Sequence, residues 1–475
     1  MNTLKKLFGF SIGSVLGAVL SAISVPITTH LLYPNEYGKT GMFSLIYMIL
    51  LMIAYLGYDQ AYIREFHETD DKRKAMINSM VVPLAVTFCL MLIMFPFAGY
   101  ISYFLFESFD HKDVIYLLDL CLPFLLFERF IMVKLRMQEK ALQYSFFTLL
   151  TKVITFCCTL FFLFNIRKDF LAVVYSTIIS HYVSDGVLII IYHKMLKIKK
   201  GDIDKTTIIR MSKFALPLLP ASVMGTIFNA EDKLFIKYFA DYTELGYYQA
   251  SMTLANMVLI LQQAFSTFWT PTVFRWKSQN VKNERYEFVQ KGVTLFGSIC
   301  FIGVLFIKNL LPILLSAKYA SSKYILPFLL FYPVMAMIIS TTVLGMDFAR
   351  KTQYTLYFSI VVVIVNFVLN FIFVRHLGAA GAAIATGLSH IVYFWIRTIV
   401  SRKLWFNFKI DHLIISTCLL SILALVNSLT FIDDIYVYLC DCFVLFCILF
   451  LYHNYIKEIF GMIKNWRAEK CLQKQ

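Results

Sequence analysis

The chain has 475 residues, of which 59% are hydrophobic and 17% aromatic but only 15% charged, and its mean hydropathy is +0.70. A water-soluble domain has no use for that much apolar surface, so the composition excludes a soluble enzyme or binding module and indicates an all-α polytopic membrane protein. The net charge of +15 does not point to nucleic acid, because the basic residues sit in short connectors between apolar stretches, where they act as topology signals.

Taking about 20 apolar residues as a bilayer-spanning length, the sequence predicts about fourteen transmembrane helices, at 8–32, 41–62, 77–105, 114–133, 143–165, 170–192, 214–239, 247–273, 288–315, 324–346, 354–374, 378–400, 411–431 and 435–456. The first follows Lys5-Lys6 and resembles a signal peptide, but its length and the lack of a small-residue cleavage site favour a retained span. Lys and Arg are roughly fourfold more frequent in the termini and alternate loops than in the opposite loops, which predicts cytoplasmic termini.

The most basic connector, Tyr192 to Lys213, carries Lys194, Lys197, Lys199, Lys200, Lys205, Arg210 and Lys213. It is the expected joint between two related halves. Glu36-Tyr37-Gly38 is answered 208 positions later by Glu244-Leu245-Gly246, Gln143-Tyr144 210 positions later by Gln353-Tyr354, and Ser180-His181 209 positions later by Ser389-His390. Near-constant spacing across an even number of spans predicts two parallel six-helix repeats. The expected organisation is an N-terminal bundle at 1–193, a cytoplasmic connector at 194–213, a second bundle at 214–401, and two extra helices with a basic tail at 402–475.

Ionisable residues inside spans are costly, on the order of 3 kcal/mol each, and usually face a polar interior. Lys152, midway along its span, is either a cationic site for an anionic substrate or the partner of Asp185 or Glu128. Glu128 and Arg129 are adjacent, so one is expected to face a cavity and the other a neighbour or the interface. Arg64, with Asp59 nearby, is read as an entrance residue or a positive-inside anchor, and Arg275 as its match in the second half. Glu231, Asp232 and Lys233 form a gate, a coupling-ion site or structural pairs. His181 and His390 occupy equivalent repeat positions, either as proton relays or as neutral interhelical residues. Asn366 and Asn370 share a helix face and are expected to bridge helices.

Nearly all ten cysteines lie in apolar segments, so neither a disulfide framework nor a metal site is expected, and Cys440-x-Cys442 lacks a second ligand pair. Asp202-x-Asp204 resembles the metal motif of some glycosyltransferases but has no nucleotide-binding domain around it. No Walker-type or dinucleotide motif is present, so no cofactor is expected.

The motifs LLYPNEYG with Gly57 and Arg64 downstream, FALPLLPASVMGTIFNAEDKLFIKYFADYTELGYYQA, FWTPTVFRW and HLGAAGAAIATGLS make the chain similar to the polysaccharide exporters and lipid-linked oligosaccharide flippases of the multidrug/oligosaccharidyl-lipid/polysaccharide exporter superfamily. The likeness runs through nearly the whole chain. It departs at Asp232-Lys233, where members often carry Asp-Arg, which loses bidentate guanidinium chemistry.

The resemblance implies transport without covalent chemistry. An undecaprenyl-diphosphate-linked oligosaccharide would enter a cavity between the bundles and leave on the other face by alternating access, driven by a coupling ion, H+ or Na+, or by consumption of product. Polysaccharide polymerase and chain-length machinery are the implied protein partners, alongside membrane lipids and with no nucleic acid. A multidrug antiporter of the same superfamily and a membrane-embedded polysaccharide polymerase are the competing readings.

Overall fold

The computed structural model describes residues 2–349, 351 and 353–472, and among them the only regular structure is helical. By internal contacts the chain divides into Met1–Ala250 and Ser251–Gln475.

The first unit contains α1 (Asn2–Leu31), α2 (Pro34–Tyr55), α3 (Tyr58–Glu68), α4 (Lys72–Phe106), α5 (Lys112–Met137), α6 (Ala141–Asn165), α7 (Phe170–Leu196), α8 (Lys205–Ala215), α9 (Leu219–Phe239) and the start of α10 (Tyr242–Ser278). Helix starts follow the local chemistry. Pro34 opens α2, where its missing N–H costs nothing. Asp71, Asp169 and Asp204 accept the free N–H groups at the starts of α4, α7 and α8.

The predicted second span breaks early. Leu56 and Gly57 both adopt left-handed backbone, at φ 48° and 73°, so the chain turns and Asp59 and Arg64 fall on a separate amphipathic helix, α3. Gly57 meets the requirement for positive φ without strain, while Leu56 gives no sequence sign of it. The connector is also more ordered than a bare joint: α8 is helical and packs on α3 and α4.

Within this unit α1 packs on α6, α6 and α5 on α7, and α2 on α4, α7 and α9. Gly13 and Gly17 sit against Ser145 and the stem of Lys152, so bare glycine faces let α1 approach α6 closely. The repeat motifs meet one another. Gly38 packs on the Tyr242 carbonyl and Gly246 on the Pro34 carbonyl. Both members of each contact are 208 positions from their counterparts in the other, so the contact is reciprocal.

The second unit contains the rest of α10, then α11 (Asn283–Phe306), α12 (Leu311–Leu315), α13 (Ser322–Leu329), α14 (Phe331–Thr342), α15 (Leu344–Phe348), α16 (Gln353–Leu404), α17 (Asp411–Ser428), α18 (Asp434–Leu451) and α19 (His453–Leu472). The predicted tenth span is three short helices, with Pro327 inside α13 and Pro333 at the start of α14. The predicted eleventh and twelfth spans join in α16, which bends at Gly378 (φ 55°, ψ −133°). Its two arms are linked by the Ser389 hydroxyl, which donates to Asn366 at 3.2 Å. Trp269, Tyr286 and Leu344 form a buried cluster at one end of this unit. The appended α17 and α18 pack on α11.

Ten helices among the described residues are long and apolar enough to cross a membrane. Large apolar side chains such as Phe88, Leu92 and Phe95 on α4 and Phe446 and Phe450 on α18 point outward, as lipid-facing surfaces require.

Candidate functional site

The first unit encloses a cavity of about 560 Å³. Helical periodicity explains its lining. On α2, Tyr37, Thr40, Ser44 and Tyr47 recur every three or four residues and share a face, as do Tyr144, Thr148, Thr151, Lys152 and Thr155 on α6, and Thr177 and His181 on α7. α5 contributes Glu128, Arg129, Met132, Val133 and Arg136, and Gln249 of α10 completes the wall.

The threonines that line it are tied down. Thr148, Thr151 and Thr155 donate to carbonyls one turn earlier, at 3.0, 3.1 and 2.8 Å. Thr151 and Thr155 also reach Ser184 and Ser180, at 3.0 and 2.8 Å, which fixes α6 on α7.

Lys152 lies on this wall and forms no hydrogen bond or ion pair among the described residues, so its ammonium is open to the cavity. The Asp185 partner considered from sequence is engaged elsewhere. Asp185 is fully buried, takes the Ser184 hydroxyl at 2.9 Å and lies 3.0 Å from His181 Nδ1. His181 Nε2 in turn lies 3.1 Å from the Tyr47 hydroxyl.

Glu128 and Arg129 both border the cavity. Sequence reasoning expected them to diverge, but the cavity is wide enough to span the roughly 100° between successive helical positions. Arg129 is anchored by Asp59, with Nη2 and Nε at 2.5 and 3.1 Å from Oδ2, and its guanidinium lies over the Tyr55 ring at 5.6 Å. Asp59 thus serves as the buried counter-ion of a cavity residue. Arg136 also lines the cavity. Sequence reading missed it, although its spacing from Arg129 and Met132 places it on their face.

The remaining candidates lie elsewhere. Lys233 reaches the Gly41 carbonyl at 3.2 Å, beside Thr40 of the cavity wall. Asp232 is buried and accepts the Tyr248 hydroxyl at 2.5 Å, and Glu231 is buried next to it. Arg64 pairs with Glu68 at 3.0 Å, lies over Phe214 at 5.0 Å, and borders a shallow cleft with Arg210 and Lys213. His390, in the second unit, lies against Tyr332 with ring centres 4.7 Å apart. Arg275 is exposed on α10.

The Asp202-x-Asp204 segment is a latch. Arg73 grips Asp202 with two nitrogens at 2.6 and 2.7 Å and also donates to the Lys197 carbonyl at 2.7 Å. The bidentate guanidinium and the Lys199 N–H hold the Asp202 carboxyl below the usual carboxylate range. Asn78 completes the latch, donating to the Asp202 carbonyl at 2.8 Å and accepting from the Asp204 N–H at 2.7 Å. The Thr207 and Thr206 hydroxyls depress the Asp204 carboxyl as it caps α8. Arg210, paired with the buried Glu65, closes the same face. Among the described residues no cluster of His, Cys, Asp and Glu fits a metal ion.

A cationic, hydroxyl-rich cavity among membrane-crossing helices suits a polar, anionic ligand. Residues 3–277 match the family model described as "Polysaccharide biosynthesis protein". The chain is 23% identical over 178 residues to the probable low-salt glycan biosynthesis flippase Agl15 of Haloferax volcanii, a match that spans 36% of this chain and only 37% of that relative.

Among solved structures, the fold is similar to the lipid II flippase MurJ in an inward closed conformation, with TM-score 0.71 and 15% identity over 94% of this chain and 99% of that one. It is also similar to an inward-facing multidrug resistance MATE family transporter, with TM-score 0.63 and 14% identity over 84% and 97% of the two chains. The chain belongs to the polysaccharide biosynthesis protein family, and its fold is like that of the MurJ and MATE transporters.

Proposed function

We propose that the protein flips undecaprenyl-diphosphate-linked oligosaccharide repeat units across the bacterial plasma membrane by alternating access, for assembly of a capsule, O-antigen or exopolysaccharide. In this reading fourteen spans form two six-helix repeats and an appended pair, both termini are cytoplasmic, and the cavity receives the headgroup while the polyprenyl tail stays in lipid. The coupling ion, if one is used, is H+ or Na+, and polymerase and chain-length proteins take the product.

The observation that carries the reading is the cavity itself. Its lining includes three basic side chains, Arg129, Arg136 and Lys152, against one acidic one, Glu128. Its volume falls within the range of about 300–1,000 Å³ typical of small-ligand sites, room for a diphosphate and adjoining sugar but not for a polymer. The phosphate oxygens are matched by guanidinium and ammonium donors, and the sugar hydroxyls by the threonine and tyrosine wall.

The MATE-like fold leaves a drug antiporter as the second reading. A cavity with excess positive charge repels the cationic compounds such a transporter would carry. Deletion of the gene followed by analysis of surface polysaccharide and lipid-linked intermediates separates the readings. Loss of one polymer with its repeat unit stranded on the cytoplasmic leaflet supports flipping. Normal polymer with altered drug sensitivity supports the antiporter, and repeat units accumulating on the outer leaflet point to a polymerase.

A further inference from the structure

We infer that Asp185, His181 and Tyr47 form a proton-responsive relay that sets the hydrogen-bonding polarity of the cavity wall, so that a diphosphate headgroup binds together with one proton. The inference rests on the cavity being the headgroup site.

The geometry fixes the roles of the atoms. Asp185 is fully buried and its Oδ1 already accepts from Ser184. An ionised carboxylate only accepts hydrogen bonds, so the His181 nitrogen 3.0 Å from Oδ2, Nδ1, carries its hydrogen toward Asp185. In the neutral ring Nε2 is then the bare nitrogen, and it accepts the single hydroxyl proton of Tyr47 across 3.1 Å. Tyr47 consequently offers the cavity only lone pairs. Such a surface suits sugar hydroxyls and repels phosphate oxygens.

Adding one proton at Nε2 reverses that bond. The imidazolium donates to the Tyr47 oxygen, and the phenol hydrogen turns toward the cavity, where it can donate to a phosphate oxygen. No covalent bond breaks. One proton from solvent resides on His181, and Tyr47 changes from acceptor to donor. The charged groups that share the cavity wall with Tyr47 and His181 are Glu128, Arg129 and Arg136 from α5 and Lys152 from α6.

The internal repeat serves as a control built into the chain. His390 answers His181, but the position answering Asp185 is Phe394, which is fully buried, and the one answering Tyr47 is Ala255. His390 lies against the Tyr332 ring. The first repeat carries Asp185 and Tyr47 in addition, and Tyr47 and His181 line the cavity while Asp185 is buried behind them.

The test uses the full-length protein in lipid nanodiscs and polyprenyl-diphospho-N-acetylglucosamine, a diphosphate diester that does not itself titrate between pH 6 and 8. Affinity is measured at both pH values, and proton uptake is read from binding heats in buffers of different ionisation enthalpy. Wild type should bind about tenfold more tightly at pH 6, the scale of one hydrogen bond to a charged group, with proton uptake on binding. His181→Gln should bind equally at the two pH values without proton uptake. Tyr47→Phe should lose the gain at pH 6, and His390→Gln should keep the wild-type ratio. Lys152-dependent binding that is independent of pH in wild type, or a wild-type ratio retained in His181→Gln, would overturn the relay alone. Absence of wild-type binding at either pH would overturn both the relay and the headgroup site.

Discussion

Replacing Gly246 by alanine gives the sharpest packing test. A methyl group there would run into the carbonyl oxygen of Pro34, with the carbonyl carbon at 2.6 Å and Cα at 2.9 Å. All three atoms are backbone, so no side chain can turn aside and the starts of α2 and α10 must separate. Overpacking of this kind costs about 1–3 kcal/mol, and the rigid obstacle places Gly246→Ala at the upper end.

Gly38→Ala meets the Tyr242 carbonyl in the reciprocal contact and should cost about as much. The double variant should cost clearly less than the sum, because one separation relieves both clashes. Gly186→Ala is the control. Nothing lies within 4 Å of its new methyl, and alanine in a helix interior is favoured over glycine by roughly 0.5–1 kcal/mol. Unfolding of the purified variants in one detergent, followed by heat and by denaturant, reads these differences. Wild-type stability in Gly246→Ala would refute the close contact, and full additivity would refute its reciprocity.

Lys152→Ala should abolish polymer export while leaving expression and membrane insertion intact, checked by surface polysaccharide and by the amount of protein in membranes. A double-mutant cycle of Arg129→Ala and Asp59→Asn should give a coupling of about 1–2 kcal/mol, below that of a fully buried pair because water reaches the guanidinium. Unfolding measurements supply it, and zero coupling would remove Asp59 as the counter-ion. The latch should weaken in acid. Because the Asp202 carboxyl is held below its ordinary value of 3.8, its contribution is complete above that value and is lost as pH falls through the lower folded-state value. Hydrogen exchange at the Lys199 amide, which donates to Asp202 at 2.6 Å, should accelerate over that acid range in wild type and already be fast at neutral pH in Asp202→Asn.

The helices were legible in the sequence because apolar length is a direct physical demand of lipid, and each predicted stretch falls on one or more of the observed helices. Their interruptions were less so. Gly378 bends α16 with a left-handed backbone angle inside a stretch rich in alanine, and the break after Tyr55 depends on Leu56 adopting a conformation its side chain does not favour. The intramembrane charges identified part of the cavity, since Lys152, Glu128, Arg129 and His181 all line it. What they could not supply was partner choice. Asp59 bonds to Arg129 only because α3 packs on α5, whereas Asp185 bonds to His181 one turn earlier on its own helix, a pairing that i,i+4 spacing could have suggested. Asp202 was set aside as an isolated metal-like motif because its partners, Arg73 and Asn78, lie more than a hundred residues earlier.

The most direct test of the account is a reconstituted flipping assay. Purified full-length protein is placed in liposomes with a fluorescent undecaprenyl-diphosphate oligosaccharide, and an impermeant quencher reports the fraction on the outer leaflet over time. The account expects the initially protected fraction to become accessible with wild-type protein and to remain protected with Lys152→Ala. Equal rates for wild type, Lys152→Ala and protein-free liposomes would contradict it.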